Sequence, residues 1–180
     1  MNGQEFYKLF RYEFDPNHNT DVKDAYTSDK KLTRQQWTYL MDKVLKAVMT
    51  KAGFDPSIHM QEVPVRKGKC IGRVDHKWQK QNETVFIEDE NDIHSNINSE
   101  IENLLNSDGD LRVLITYSSN SSRRETLRKS LYQQLKVNKS SRKFEFLLII
   151  GRDNDMNFYN DWEAFHYIPS FEEVPLPVSS

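Results

Sequence analysis

The stretch Thr84-Val85-Phe86-Ile87-Glu88-Asp89-Glu90-Asn91, preceded by Gly72-Arg73-Val74-Asp75, decides how this 180-residue chain is read. In an extended chain successive side chains point to opposite faces, which puts Phe86, Glu88 and Glu90 on one face and Val85, Ile87 and Asp89 on the other. Two carboxylates thus leave the end of an apolar strand side by side. An antiparallel neighbour over Ile71 to Asp75, joined by a polar loop from His76 to Glu83, brings Asp75 to the same strand end as a third acid. Three converging carboxylates repel and raise one another's pKa unless a cation sits among them. The arrangement is costly for structure alone and suits a hard, oxygen-seeking ion such as Mg²⁺.

Outward from this hairpin, Leu111 to Tyr117 and Phe144 to Ile150 are continuously apolar and read as buried strands. Between them, Ser122-Arg123-Arg124-Glu125 has the form of a capping box opening a helix with Leu127, Leu131 and Leu135 inward. Ile97, Ile101, Leu104 and Leu105 mark a helix stopped at Ser107-Asp108-Gly109-Asp110. Upstream, Thr33 caps an amphipathic helix carrying Trp37, Leu40, Met41, Val44, Leu45 and Val48, which ends at Gly53. Glu5 to Phe14 reads as a short helix, Asp15 to Lys31 as a long loop, Met60 to Val65 as a strand and Arg66-Lys67-Gly68-Lys69 as a basic hairpin tip. The expectation is a single α/β domain with a mixed central sheet flanked by helices on both faces. Its core spans 33–151, with a helix and loop at 1–32 and a C-terminal extension at 152–180 that is loosely ordered from Pro169.

Asp75, a spacer, and Glu88-Asp89-Glu90 at the end of an apolar strand resemble the PD-(D/E)XK nuclease superfamily, over roughly Glu62 to Gly151. Val74 stands where the pattern has Pro, and Glu90 where it has Lys. The resemblance implies a restriction-endonuclease-like fold and a metal-dependent nuclease acting on DNA, with Asp75 and Glu88 holding Mg²⁺ or Mn²⁺. Glu90, in the lysine's place, would orient or deprotonate the attacking water. The same resemblance admits a catalytically inactive module that binds nucleic acid or a protein partner. Asp75-His76-Lys77 is a second register, D-x-K, with Glu62 as its upstream acid; Asp42 is the acid on the helix preceding the hairpin.

The formal net charge is −2 with 29% charged residues, so a nucleic-acid surface must be a local patch. Arg66, Lys67 and Lys69 at the hairpin tip, Lys77, and Arg123, Arg124 and Arg128 on the following helix are the candidate phosphate contacts. One cysteine, Cys70, excludes an internal disulfide and fits a reducing compartment; with no basic leader and no long apolar run, the protein is expected to be cytoplasmic and without a membrane partner. Monomer and homodimer both stay open. The five histidines lack metal-ligand spacing and read as surface residues, with His76 and His94 near the site in sequence. Asp153-Asn154-Asp155 opens like a calcium loop but has Phe158 where Gly is needed and Ala164 where Glu is needed.

Overall fold

The computed structural model describes residues 1–27, 32–67, 70–90, 97–118, 120–137, 143–151, 162–170, 173–174 and 176. Three helices come first: α1 (Gly3–Glu13), α2 (Thr20–Thr27) and α3 (Arg34–Lys51). The strands β1 (Met60–Lys67), β2 (Cys70–Lys80) and β3 (Glu83–Glu90) form an antiparallel meander. The helix α4 (Ile97–Asn106) then leads to β4 (Leu111–Tyr117), and α5 (Ser121–Val137) to β5 (Glu145–Gly151). Both strands run parallel to β3, so each needs a helical crossover. The chain closes with β6 (Glu163–Tyr167) and the two-residue β7 (Glu173–Val174), both antiparallel. Sheet order follows chain order from β1 to β7.

Each face of this mixed sheet is covered by its own apolar cluster. On one face Trp78, Val85, Ile87, Val113, Ile115 and Leu147 pack against α1 and α3, with the stacked Phe10 and Phe14 each meeting Trp162 edge-on. On the other, Val74, Phe86, Leu114, Leu148 and Ile150 pack against Ile101 and Leu104 of α4 and Leu127, Leu131 and Leu135 of α5. Strands covered on both faces cannot alternate polar and apolar residues, and β4 and β5 read accordingly as unbroken apolar runs. Pro64 is tolerated in β1 because β1 is an edge strand.

Thr33 caps α3 through a complete capping box with Gln36, and Gly53 at φ +81° follows its end. Four expectations give way. The polar stretch from His76 is strand rather than loop: β2 continues to Lys80 and turns into β3 through only Gln81 and Asn82, because His76 and Trp78 alternate inward. The loop 15–31 contains α2, whose start is held by Asn19 Oδ1 accepting from Asp21 and Val22 N–H and whose only buried residue is Val22. The first turn of α5 is capped by Asn120, whose Oδ1 accepts from Arg123 N–H, so Ser122 lies within the helix. The extension beyond 152 supplies β6, and its His166 is buried against Glu145 at 2.7 Å.

Two polar contacts set α4 on the sheet. Arg112, 1% exposed, lies with its guanidinium 3.5 Å from the Phe144 ring centroid and donates to the carbonyls of Leu105 and Ser107 at the helix's C-terminal end. Asn103 Nδ2 donates to the Arg73 carbonyl at 2.8 Å, bringing α4 so close to β2 that a Cβ on Gly72 would stand 2.0 Å from Asn103 Oδ1. Gly72→Ala should therefore push α4 away and destabilise the protein by about 1–3 kcal/mol. Chemical denaturation checks this as a lower midpoint at unchanged slope.

Candidate active site

The backbone ladder between β2 and β3 runs from Lys80↔Glu83 to His76↔Ile87 and stops there. Beyond it, side chains take over the bonding. Asp75 N–H donates to Glu88 Oε2 at 3.1 Å, and Asp89 N–H donates to Asp75 Oδ2 at 3.0 Å. Two carboxylates thus occupy acceptor positions that backbone carbonyls would otherwise fill. On the other side of β2 the pairing with β1 lapses at the same level, between Gln61↔His76 and Val63↔Val74, where Glu62 adopts φ +51°. Side-chain alternation in β2 resets here: Val74 packs toward α4, whereas Trp78, four residues on, packs toward α3. Asp75 sits at the reset.

Glu88 is 2% exposed and lies on the α4 face with Phe86. Its Oε1 is buried and receives no hydrogen bond from the protein. Burial foremost, then the charges of Asp75 and Glu100, push the Glu88 carboxyl up to about 11, and its side chain hydrogen-bonds that of Glu100. A carboxyl–carboxylate bond needs one proton, which Glu88 holds at neutral pH. Glu100 is itself raised, chiefly by desolvation, and accepts from Asn103 Nδ2 at 3.2 Å. Asp89 belongs to the opposite face, where it accepts from Tyr117 Oη at 3.1 Å; burial and the Asp75 charge lift it to about 7. Glu90 lies opposite Thr116 on β4, close enough for its charge to act on Glu100 and Asp89.

Asp75 and Glu88 are thus brought into direct contact, while Glu90, the third acid of the strand reading, lies two residues further along β3. Glu100 is an acid that strand periodicity does not reveal. The available signal is its position on α4, three residues after Ile97 and four before Leu104, a charge on the border of an apolar stripe. Asp42 is committed to Lys46 and Gln61, and Glu62 is exposed beside Arg73. Among the described residues, no group of three or more His, Cys, Asp and Glu side chains is already disposed as a metal cage.

The basic candidates are scattered. Arg66 is exposed on β1, and Lys77 lies toward the α4 face, its ammonium 5.6 Å from the Phe86 ring centroid. Arg123 is exposed at the start of α5. Arg124 is buried, donating to the Ser118 carbonyl and pairing with Glu163, while Arg128 is gripped by Glu173 and Glu125 and stacks over Phe165. These last two are held within the fold, unlike the solvent-facing pair the helix pattern leads one to expect. Lys69, His94 and the stretch 153–157 lie outside the described residues, as does the side chain of Lys67. His18 is exposed, as expected of the histidines, whereas His166 is buried and the buried His76 meets His59, with Nδ1 and Nε2 3.0 Å apart. An open groove between α4 and α5, lined by Asn98, Glu102, Leu105, Ser130, Gln134 and Val137, contains none of the candidate residues. Among the described residues no helix is long and apolar enough to cross a membrane.

In comparisons with known proteins, the chain matches no family model and no curated protein.

The raised Glu88 carboxyl carries a pH signature. A group whose folded pKa lies above its unfolded value contributes stability below the unfolded value and loses it as pH rises toward the folded one. Glu88, displaced from 4.5 to about 11, therefore destabilises the fold progressively across the neutral range. His59 and His76, both lowered by burial, act in the opposite sense below pH 6.5, so the comparison belongs between proteins that share them. Relative to Glu88→Gln, which keeps the neutral shape, the wild type in EDTA should lose about 1.4 kcal/mol per pH unit between pH 7 and 9. Parallel stability curves for the two proteins would show that Glu88 is ionised in the fold.

Proposed function

We propose that this protein is a metal-dependent nuclease of restriction-endonuclease-like fold, hydrolysing phosphodiester bonds of DNA. The observation that carries the reading is the buried Glu88 carboxyl, accepting from Asp75 N–H and hydrogen-bonded to Glu100, at the point where β2 and β3 part. A proton now holds this cluster together. A divalent cation would neutralise it better, because it can compensate more than one carboxylate at once. The three-strand meander followed by a helix and a parallel strand agrees with what the resemblance to PD-(D/E)XK nucleases implies.

In this reading Asp75 and Glu88 hold Mg²⁺ or Mn²⁺, and Glu100 adds a third carboxylate from α4. The ion, when bound, supplies charge neutralisation at the phosphate and acidifies water. The chain's own part is to place acids around the scissile bond. Asp75 is oriented by the Asp89 N–H, and Glu88 by the Asp75 N–H. Glu90, further along β3, accepts the proton of the attacking water. Lys77 and Arg66 are the basic side chains best placed to draw the phosphate backbone toward the sheet's open end. The absence of lysine at position 90 favours a second reading, a catalytically inactive module of the same fold that binds nucleic acid or a protein partner; the internal pairing of Arg124 and Arg128 weighs within it toward a protein partner.

Thermal melts and cleavage assays on wild type and Asp75→Asn, each in EDTA and in Mg²⁺, separate these readings from a purely structural acid. The nuclease reading expects DNA hydrolysis in Mg²⁺ or Mn²⁺ that Asp75→Asn abolishes. It also expects about 2.7 kcal/mol of stabilisation of the wild type at an ion concentration one hundred times the dissociation constant, lost in the variant. In EDTA the variant should be at least as stable as wild type, since it removes a repelling charge. Metal-dependent stabilisation without cleavage of single-stranded, double-stranded or branched DNA selects the binding module. A flat wild-type response to the ion, together with a less stable variant in EDTA, overturns both.

A further inference from the structure

On the face of β2 turned away from Glu88, the chain assembles a second polar cluster that the nuclease reading does not use. His59 follows the 3-10 turn Pro56–Ile58, which is fixed at its start by Asp55 Oδ1 accepting from Ser57 N–H at 2.8 Å. Its ring lies flat on Trp78, with centroids 4.1 Å apart and planes 13° from parallel. Trp78 is 1% exposed and His76 is 9% exposed, so His59 covers both. His59 Nε2 and His76 Nδ1 face each other at 3.0 Å. Behind them on α3 stands Asp42, whose charge reaches both rings and whose carboxylate is held by Lys46 at 2.7 Å and, more loosely, by Gln61 at 3.3 Å.

We infer that His59 and His76 form a two-nitrogen site for a transition-metal ion such as Zn²⁺, Ni²⁺ or Co²⁺, separate from the carboxylate site. Two imidazole nitrogens bound to one ion at about 2.0–2.1 Å stand roughly 2.9–3.4 Å apart for coordination angles between square and tetrahedral. The observed 3.0 Å falls inside that window. Little movement is needed, because the Trp78 stack, the strand and the 3-10 turn already fix both rings. In the hydrogen-bonded pair one of the two facing nitrogens carries the hydrogen. On ligation that ring carries its hydrogen on the other nitrogen, so that both facing lone pairs point at the ion and no net proton is lost. Asp42, held by Lys46 and Gln61, is not disposed as a third ligand, so water takes the remaining positions.

Ligand softness separates the two sites. Imidazole selects borderline transition metals, whereas carboxylates suit Mg²⁺. Because His76 adjoins Asp75 in β2 and pairs with Ile87 of β3, an ion on the histidine pair clamps the last rung of the ladder before the strands part. The proposal does not depend on the nuclease reading, and its test reads the two sites separately.

The experiment titrates the metal-stripped full-length protein with ZnCl₂ and with NiCl₂, following the melting temperature, calorimetric heat and the histidine ring ¹⁵N shifts. It compares wild type, Asp75→Asn and His59→Phe, the last of which keeps a ring on Trp78 but offers no nitrogen. The expected result is a rise of several degrees in wild type and in Asp75→Asn, with two of the five histidine rings shifting. His59→Phe should bind at least tenfold more weakly. No shift at a pair of rings, or equal affinity in His59→Phe, overturns the site. A response lost in Asp75→Asn but kept in His59→Phe assigns the ions to the carboxylates and also overturns it. Since the ring shifts are read in the wild type, a His59→Phe protein that failed to fold would still leave the proposal open to refutation.

Discussion

The reciprocal pair of hydrogen bonds at the parting of β2 and β3 is the constraint from which most of the site follows. Asp75 gives its N–H to Glu88 and takes one from Asp89. Were the ladder to continue, these groups would bond backbone to backbone and the acids would be free to turn to solvent. Because they do not, each carboxylate is fixed by the backbone of the facing strand, and Glu88 is drawn under α4 to 2% exposure. The same break resets side-chain alternation in β2. One strand thereby supplies an acid beside Glu88 and a histidine beside His59 in two consecutive residues, Asp75 and His76.

The two helical layers make this break affordable by keeping everything around it rigid. Arg112 and Asn103 hold α4 at both the β4 and β2 sides, so Glu100 arrives beside Glu88 by the docking of a helix and not by the course of a loop. On the opposite face Tyr117, which bonds Asp89, meets Trp37 of α3 and Trp162 edge-on, with centroids 5.1 and 5.6 Å away. Aromatic rings in such contact resist displacement, and they fix the outer partner of the carboxylate network.

Much of this is legible in the residues, unevenly and for physical reasons. The meander, the buried β4 and β5, and the helices α3, α4 and α5 follow from periodicities of 2 and 3.6 that burial imposes. The contact of Asp75 with Glu88 needs more than antiparallel pairing: a loop from His76 to Glu83 would set Asp75 opposite Thr84, and it is the two-residue turn at Gln81 and Asn82 that carries Asp75 one step past the His76↔Ile87 pair to the level of Glu88. Three features leave little trace. The helix α2 buries a single side chain, so no apolar stripe announces it. The strand β6 follows a long polar stretch and its inward positions include His166, which burial would ordinarily exclude but whose Nε2 bonds Glu145. Glu100 and the His59–His76 pair depend on tertiary docking, of α4 on the sheet and of a 3-10 turn on Trp78, and no local pattern encodes either.

An energetic argument remains for why the carboxylates are there at all. A fold needing only stability would place apolar side chains at positions 75, 88 and 100, because a buried acid network is commonly matched or bettered by well-packed hydrocarbon. Glu88 instead is buried beside Asp75 and Glu100 with its carboxyl pushed up to about 11, and its neighbour Asp89 is pushed to about 7. Neither arrangement returns stability to the fold that holds it. These acids gather at one end of one strand pair, while the sheet around them is packed on both faces. Acids gathered at such a cost inside a sheet packed on both faces are what the proposed metal site would require, and a cation is the partner that would turn the repulsion among them into attraction.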